Sequence, residues 1–171
     1  MTVLANTMTL IGSASGTGSS GTVTFSSIPA TYTDLLFYVS ARAGNDVDNN
    51  LKVNGNTINA GKNLYGTGSA TGSQNSSSAG SGIWVANYTA TTANVFGNAI
   101  LYFPNYTSSN YKTVSIDSVT ENNATASYQS MTAAIWNTTS AITSITFETT
   151  DPATRFYQTN STFYLYGIKN S

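Results

Sequence analysis

Across its 171 residues the chain carries six Lys and Arg, seven Asp and Glu, no His and no Cys, for a formal net charge of -1. Charged residues make up 8% of the sequence, against about 25% in ordinary soluble domains, and uncharged polar residues replace them, since mean hydropathy is -0.12. Without His or Cys, the Ser-His-Asp and Cys-His triads, His-based metal sites and disulfides are all excluded.

The apolar residues recur with period two, the signature of half-buried β-strands. Met1–Asn6 has no basic region and no long apolar run, so no signal peptide is expected. Residues 1–7 are expected to form an N-terminal arm, and residues 8–171 a single β-sandwich domain. The first strands are predicted over Met8–Ser13 and Gly21–Ser27, with Ile28-Pro29 breaking the second from the third. Thr33–Arg42 places Leu35, Phe37, Val39 and Ala41 on one face and Leu36, Tyr38, Ser40 and Arg42 on the other. Apolar groups on both faces predict a central strand.

Asp46-Val47-Asp48-Asn49-Asn50 resembles the start of a calcium loop, but Leu51 stands where that loop needs Gly and no Glu follows at its twelfth position. A polar turn is the expectation there. Leu51–Asn54 is the next strand, and Asn54-Gly55 is a type I′ hairpin signal. Gly66–Gly82 reads as a long, mobile Gly/Ser-rich loop. A linker between two domains is the weaker reading, because neither half has enough strands to close a sandwich alone.

Later strands are predicted over Ile83–Asn87, Phe96–Phe103, Lys112–Thr120, Ser130–Trp136, Ser144–Thr149 and Ser161–Lys169. About ten short strands separated by turn signals fit a sandwich or barrel. The six basic residues are scattered singly, which argues against nucleic-acid and polybasic membrane binding. Lys52, Lys112 and Lys169 are expected to protect strand edges.

Glycoside hydrolysis would need two converging carboxylates. Asp117 and Glu121 are the nearest pair, and a solvent-facing strand residue followed by a turn residue is the favoured reading. Gly66-x-Gly68 and Gly16-x-Gly18 lack the Lys and the helix of a phosphate loop. No catalytic, metal-binding or cofactor-binding residue is assigned. The candidate partner-binding residues are Tyr88, Tyr106, Tyr111 and Tyr157, which sit in polar surroundings near strand ends and could stack on sugars or anchor a protein partner. Trp84 and Trp136 are expected in the core. The Asn-x-Ser/Thr sequons, as at Asn75 and Asn160, arise by chance in so Asn- and Thr-rich a chain.

Several segments resemble a family of β-rich virion proteins encoded by tailed bacteriophages. They are Ile28-Pro29-x-x-Tyr32-Thr33-Asp34-Leu35, Leu51-Lys52-Val53-Asn54-Gly55, Ala134-Ile135-Trp136 leading to Ala141–Thr146, and Thr162–Lys169. Members are head decoration (cement) proteins, head fibres or tail-fibre tip domains. The resemblance implies an all-β, jelly-roll-like antiparallel β-sandwich with long Gly/Ser-rich loops, commonly trimeric and without catalytic residues. The expectation is a homotrimeric capsid decoration protein, localised to the virion, whose partners are its own copies and the major capsid or another virion protein. A glycan-binding fibre tip is the alternative. The short chain, with no fibrous shaft before the domain, favours decoration, and so does its sparse charge, which suits a protein packed against neighbours.

Overall fold

The structure, a computed structural model, describes residues 7–44, 48–76, 83–87, 91–123 and 126–169. No helix occurs among them. Thirteen strands form: β1 (Met8–Ser15), β2 (Thr22–Phe25), β3 (Asp34–Ala43), β4 (Asn49–Val53), β5 (Asn56–Thr57), β6 (Ala60–Gly66), β7 (Thr71–Ser76), β8 (Ala86–Asn87), β9 (Gly97–Phe103), β10 (Lys112–Asn122), β11 (Ala126–Trp136), β12 (Ile145–Thr149) and β13 (Thr162–Ile168). They make an antiparallel sandwich of two unequal sheets. The long sheet runs β1-β13-β3-β9-β10-β11-β6-β7, with β8 joining β3 in parallel, and the short sheet runs β2-β12-β4-β5.

Alternation places the core. Leu35, Phe37, Val39 and Ala41 of β3 point inward, as do Leu101 and Phe103 of β9 and Phe163 and Leu165 of β13. Across from them lie Phe25, Leu51, Val53, Ile145 and Phe147 of the short sheet. The Phe37 ring meets Phe25 and Phe147 edge-on at 5.5 and 5.8 Å, and Phe147 also contacts Phe163 at 6.0 Å. Each such ring buried contributes about 1.5–3 kcal/mol by area alone. Both tryptophans are buried, Trp136 fully, with its Nε1 donating to the Asn56 carbonyl at 3.0 Å.

Beyond β9 the long sheet outruns its partner. The inward side of β6, β10 and β11 receives the segment Ile83-Trp84-Val85, all three residues buried. The Trp84 ring sits between Tyr65 and Tyr128, each with its centroid 6.0 Å away, and its Nε1 donates to Asp48 at 2.8 Å. Ser118 Oγ takes the Trp84 backbone N–H at 3.2 Å, and Ser130 Oγ bonds Asn63 at 3.0 Å. Ser118 is buried here as a partner for the backbone of the covering segment, while Ser130 and Asn63 partner one another.

Some expectations are corrected. Gly66–Gly82 is not one long loop: Thr71–Ser76 is strand β7, paired with β6 from Gly61↔Ser76 to Gly66↔Thr71. The turn closes through Thr67 N–H to the Ala70 carbonyl at 2.9 Å, with Gly68 at φ +79°. Gly72 lacks a side chain where the Tyr65 ring lies; an added Cβ would meet its hydroxyl at 2.6 Å. Residues 77–82 lie outside the described residues. The lysines do not guard edges. Lys52, on β4 between β12 and β5, pairs with Glu148 at 2.5 Å, Lys112 is buried on β10, and Lys169 follows β13, which lies between β1 and β3. Of the expected arm, Thr7 holds the sheet end through Lys169 N–H at 2.9 Å, and residues 1–6 lie outside the described residues.

Asn54-Gly55 does form the β4–β5 turn, with φ of +50° and +78°. Asn54 also fastens the loop before β12. Its Oδ1 accepts from Thr143 N, Ser144 N and Thr143 Oγ1 at 2.8, 3.1 and 3.2 Å, and its Nδ2 donates to the Ala141 carbonyl at 2.8 Å. Asn54→Gly keeps the turn's backbone and removes these bonds. At roughly 0.5–1.5 kcal/mol for each of several bonds, urea unfolding should show a loss of about 2–3 kcal/mol. A loss under about 0.5 kcal/mol would show that the loop holds itself.

Candidate functional site

The four tyrosines singled out by sequence do not converge. Tyr106 is fully buried, its hydroxyl donating to the Pro29 carbonyl and accepting from Tyr32 N–H at 3.4 Å. Tyr157 is also fully buried, with its ring on Phe147 at 6.0 Å and on Phe163 at 4.9 Å, and its hydroxyl donating to Asn49 Oδ1 at 2.7 Å. The expectation that both present a ring to a partner is therefore corrected. Each has an acceptor within the chain, which removes the cost of burying the hydroxyl. Tyr111 is 59% exposed and borders an open groove with Ser109, Asn110 and Thr139. Tyr88 lies outside the described residues.

The carboxylates have structural partners. Asp117 and Glu121 lie four residues apart on β10, a separation of about 13 Å along a strand, well beyond the roughly 5–9.5 Å of a glycosidase pair. Glu121 accepts from Thr92 N–H at 2.5 Å and Thr92 Oγ1 at 3.2 Å. Asp117 is exposed and accepts from Gln129 at 3.4 Å. Asp48 takes the Trp84 indole N–H, Asn49 is buried within β4, and Asp46 and Val47 lie outside the described residues. No cluster of three metal-ligating side chains occurs among the described residues.

What the fold does assemble is a surface. On the outward side of the long sheet, strand register lines up Leu10, Tyr166, Leu36, Tyr102, Ser115, Ala133 and Lys62 in one row, apolar from β1 to β9 and more polar beyond. The next row runs Tyr164, Tyr38, Ile100, Asp117, Met131 and Leu64. Met8, Leu10, Leu64, Ile100, Tyr102, Met131 and Tyr164 are 37% to 57% exposed, and all belong to this face. Two of its strands are joined by the edge-on contact of Tyr38 with Tyr166, 5.9 Å between centroids. Three open grooves cross it, one of about 580 Å3 between Leu64, Gly72 and Met131 and others beside Ala133 and beside Ile100.

The third row is polar but for Val119: Ser15, Thr162, Ser40, Asn98, Val119 and Gln129 follow one another across the strands. Beyond it Arg42 and Glu121, in the same outward register, clamp residues 91–95. Arg42 Nη1 donates to Thr91 Oγ1, the Thr92 carbonyl and the Val95 carbonyl at 2.8, 2.8 and 2.9 Å. At the other end Asp34 accepts from Tyr102 Oη and Asn105 N–H, each at 2.8 Å. The apolar rows thus lie between two polar margins. The visible sequence signal was the apolar character of both faces of β3, which was read as the mark of a central strand, as β3 is.

Comparison with protein-family models, curated proteins and solved structures finds no match.

Lys112 provides a pH test of the packing. Its ammonium donates to the Ser108 and Asn110 carbonyls at 2.6 and 2.5 Å, while burial lowers its pKa from 10.5. The unfolded chain then holds a proton that the folded chain releases first, so stability rises with pH in the interval below 10.5. Burial raises the Tyr106 pKa above 10.0 and the hydrogen bond to Asp34 raises that of Tyr102, so stability falls again above 10.0. Urea midpoints of the native chain should therefore climb and then drop across this alkaline range. In Lys112→Met the climb should vanish and the drop remain; an unchanged climb would contradict the assignment.

Proposed function

We propose that the protein is a non-enzymatic structural protein of a tailed-bacteriophage virion, a homotrimeric decoration protein that docks on the head lattice and stabilises it. One observation carries this reading: a broad, sparsely charged sheet face on which, among the described residues, seven large apolar side chains are exposed. Monomeric proteins rarely expose contiguous apolar patches beyond about 300–600 Å2, and larger ones mark interaction surfaces. The mechanism is area repeated by symmetry, in which many modest contacts sum to a stable shell.

The strand order supports a jelly-roll reading of the sandwich. Strands β1-β13-β3-β9 and β2-β12-β4-β5 alternate between the sheets in the chain order of two interlocked Greek keys, with the β6–β7 and β10–β11 hairpins added to one edge. This agrees with the family resemblance of Ile28–Leu35 and Thr162–Lys169. Mass spectrometry of purified particles of the phage that carries this gene should find the protein at many copies per virion. Its absence from particles would overturn the reading.

Tyr111 favours a second reading, a fibre tip that binds cell-surface glycan, because an exposed ring beside Ser109, Asn110 and Thr139 offers both stacking and hydrogen bonds. Reproducible glycan-array binding that is lost in Tyr111→Ser would favour adhesion. A blank array would favour decoration.

A further inference from the structure

We propose that the outer face of the long sheet is the surface through which copies of this chain bind one another, with Asp117 of one copy set against Lys62 of the next. The inference deepens the self-association in the proposed function by naming the face the copies share, and it rests on the same exposed face.

Size comes first. Eight strands about 4.8 Å apart, with three outward rows about 6.7 Å apart, make a face of roughly 770 Å2. A stable interface buries about 800 Å2 on each partner. The two apolar rows at its centre and the polar row beside them reproduce the apolar core and polar rim of such an interface.

Chemistry then selects the occupant. The exposed large apolar side chains of the described residues, Tyr111 apart, all lie on this face. A second copy is therefore a partner that brings a matching apolar surface. Charge agrees with this. The exposed charges among the apolar rows are one carboxylate, Asp117 on β10, and one ammonium, Lys62 on β6. Each has a neutral partner within the chain: Lys62 Nζ donates to Asn75 at 2.7 Å, and Asp117 accepts from Gln129 at 3.4 Å. Strand β11 lies between them, and their registers differ by one outward row. Within one chain they are thus roughly 12 Å apart. A second face laid on the first can bring the carboxylate of one copy to the ammonium of the other. The contact is reciprocated in a two-fold pair, whereas in a closed ring of three each neighbour would meet only part of the face.

Sedimentation velocity of the full chain over a concentration series tests this. The native protein should associate reversibly. Met131→Lys and Ile100→Lys should each weaken association about tenfold or more, as loss of a central apolar anchor does. Both positions are exposed, so the fold should survive, and an unchanged melting midpoint checks it; Leu64→Lys serves if either variant fails to fold. Asp117→Lys should weaken association, and the double variant Asp117→Lys with Lys62→Asp should restore it. Tyr111→Ser should change nothing. A native chain that stays monomeric, or a multimer indifferent to the Met131 and Ile100 variants, would overturn the proposal. A double variant no better than Asp117→Lys alone would overturn the pairing. A protein that self-associates in this way yet is missing from virions would keep this inference and lose the decoration reading.

Discussion

The two sheets do not match in width, and the rest of the molecule follows from that. Eight strands stand in order along one layer and four in the other. A sheet buries one face against its partner only over the strands the partner reaches. Over β1, β13, β3 and β9 the short sheet supplies the aromatic core around Phe37, Phe147 and Phe163. Over β10, β11 and β6 the chain supplies a substitute, the segment around Trp84, and the inward residues change from Phe and Leu to Ser118, Ser130 and Asn63. Among the described residues no second sheet covers the opposite side of the long sheet, and residues 91–95 lie only against its Arg42 and Glu121 end.

Sparse charge takes on a different meaning in this frame. Much of the little charge present is held inside: Asp34, Arg42, Lys112 and Glu148 are each less than a tenth exposed. Asp34 orders the turn at Asn105, Arg42 and Glu121 hold residues 91–95, and Lys112 collects the carbonyls of 108 and 110. Hydrogen bonds to charged groups contribute about 1.5–3 kcal/mol each, more than neutral ones, so these few ions help to organise the loops between strands. The surface is therefore even poorer in charge than the composition suggests. Little electrostatic repulsion keeps one outer sheet face from lying on another.

Much of the fold was legible because period-two alternation is a local property. The inward set of β3 is the one the sequence assigns, and Asn54-Gly55 turns where its positive-φ preference requires. Strand β7 was hidden because Thr71–Ser76 has no apolar residue to mark a period; its pairing to β6 is made by backbone, and room for Tyr65 over Gly72 is a tertiary fact. Tyr106 and Tyr157 misled for a related reason. Their sequence neighbours are polar, but their hydroxyls meet Pro29 and Asn49, residues 77 and 108 positions away. The outer face was half visible. Leu36 and Tyr38 signalled apolar groups on both sides of their strand, but whether a second layer covers them depends on sheet width, which no single strand encodes.

The central claim is that this open face is closed by assembly. Hydroxyl-radical footprinting, read by mass spectrometry on the native chain at high and low concentration, measures it side chain by side chain. The account predicts that Met131, Leu64 and Leu10 become protected as concentration rises while Tyr111 stays reactive. Equal labelling of Met131, Leu64 and Leu10 at every concentration, or protection confined to Tyr111, would contradict it.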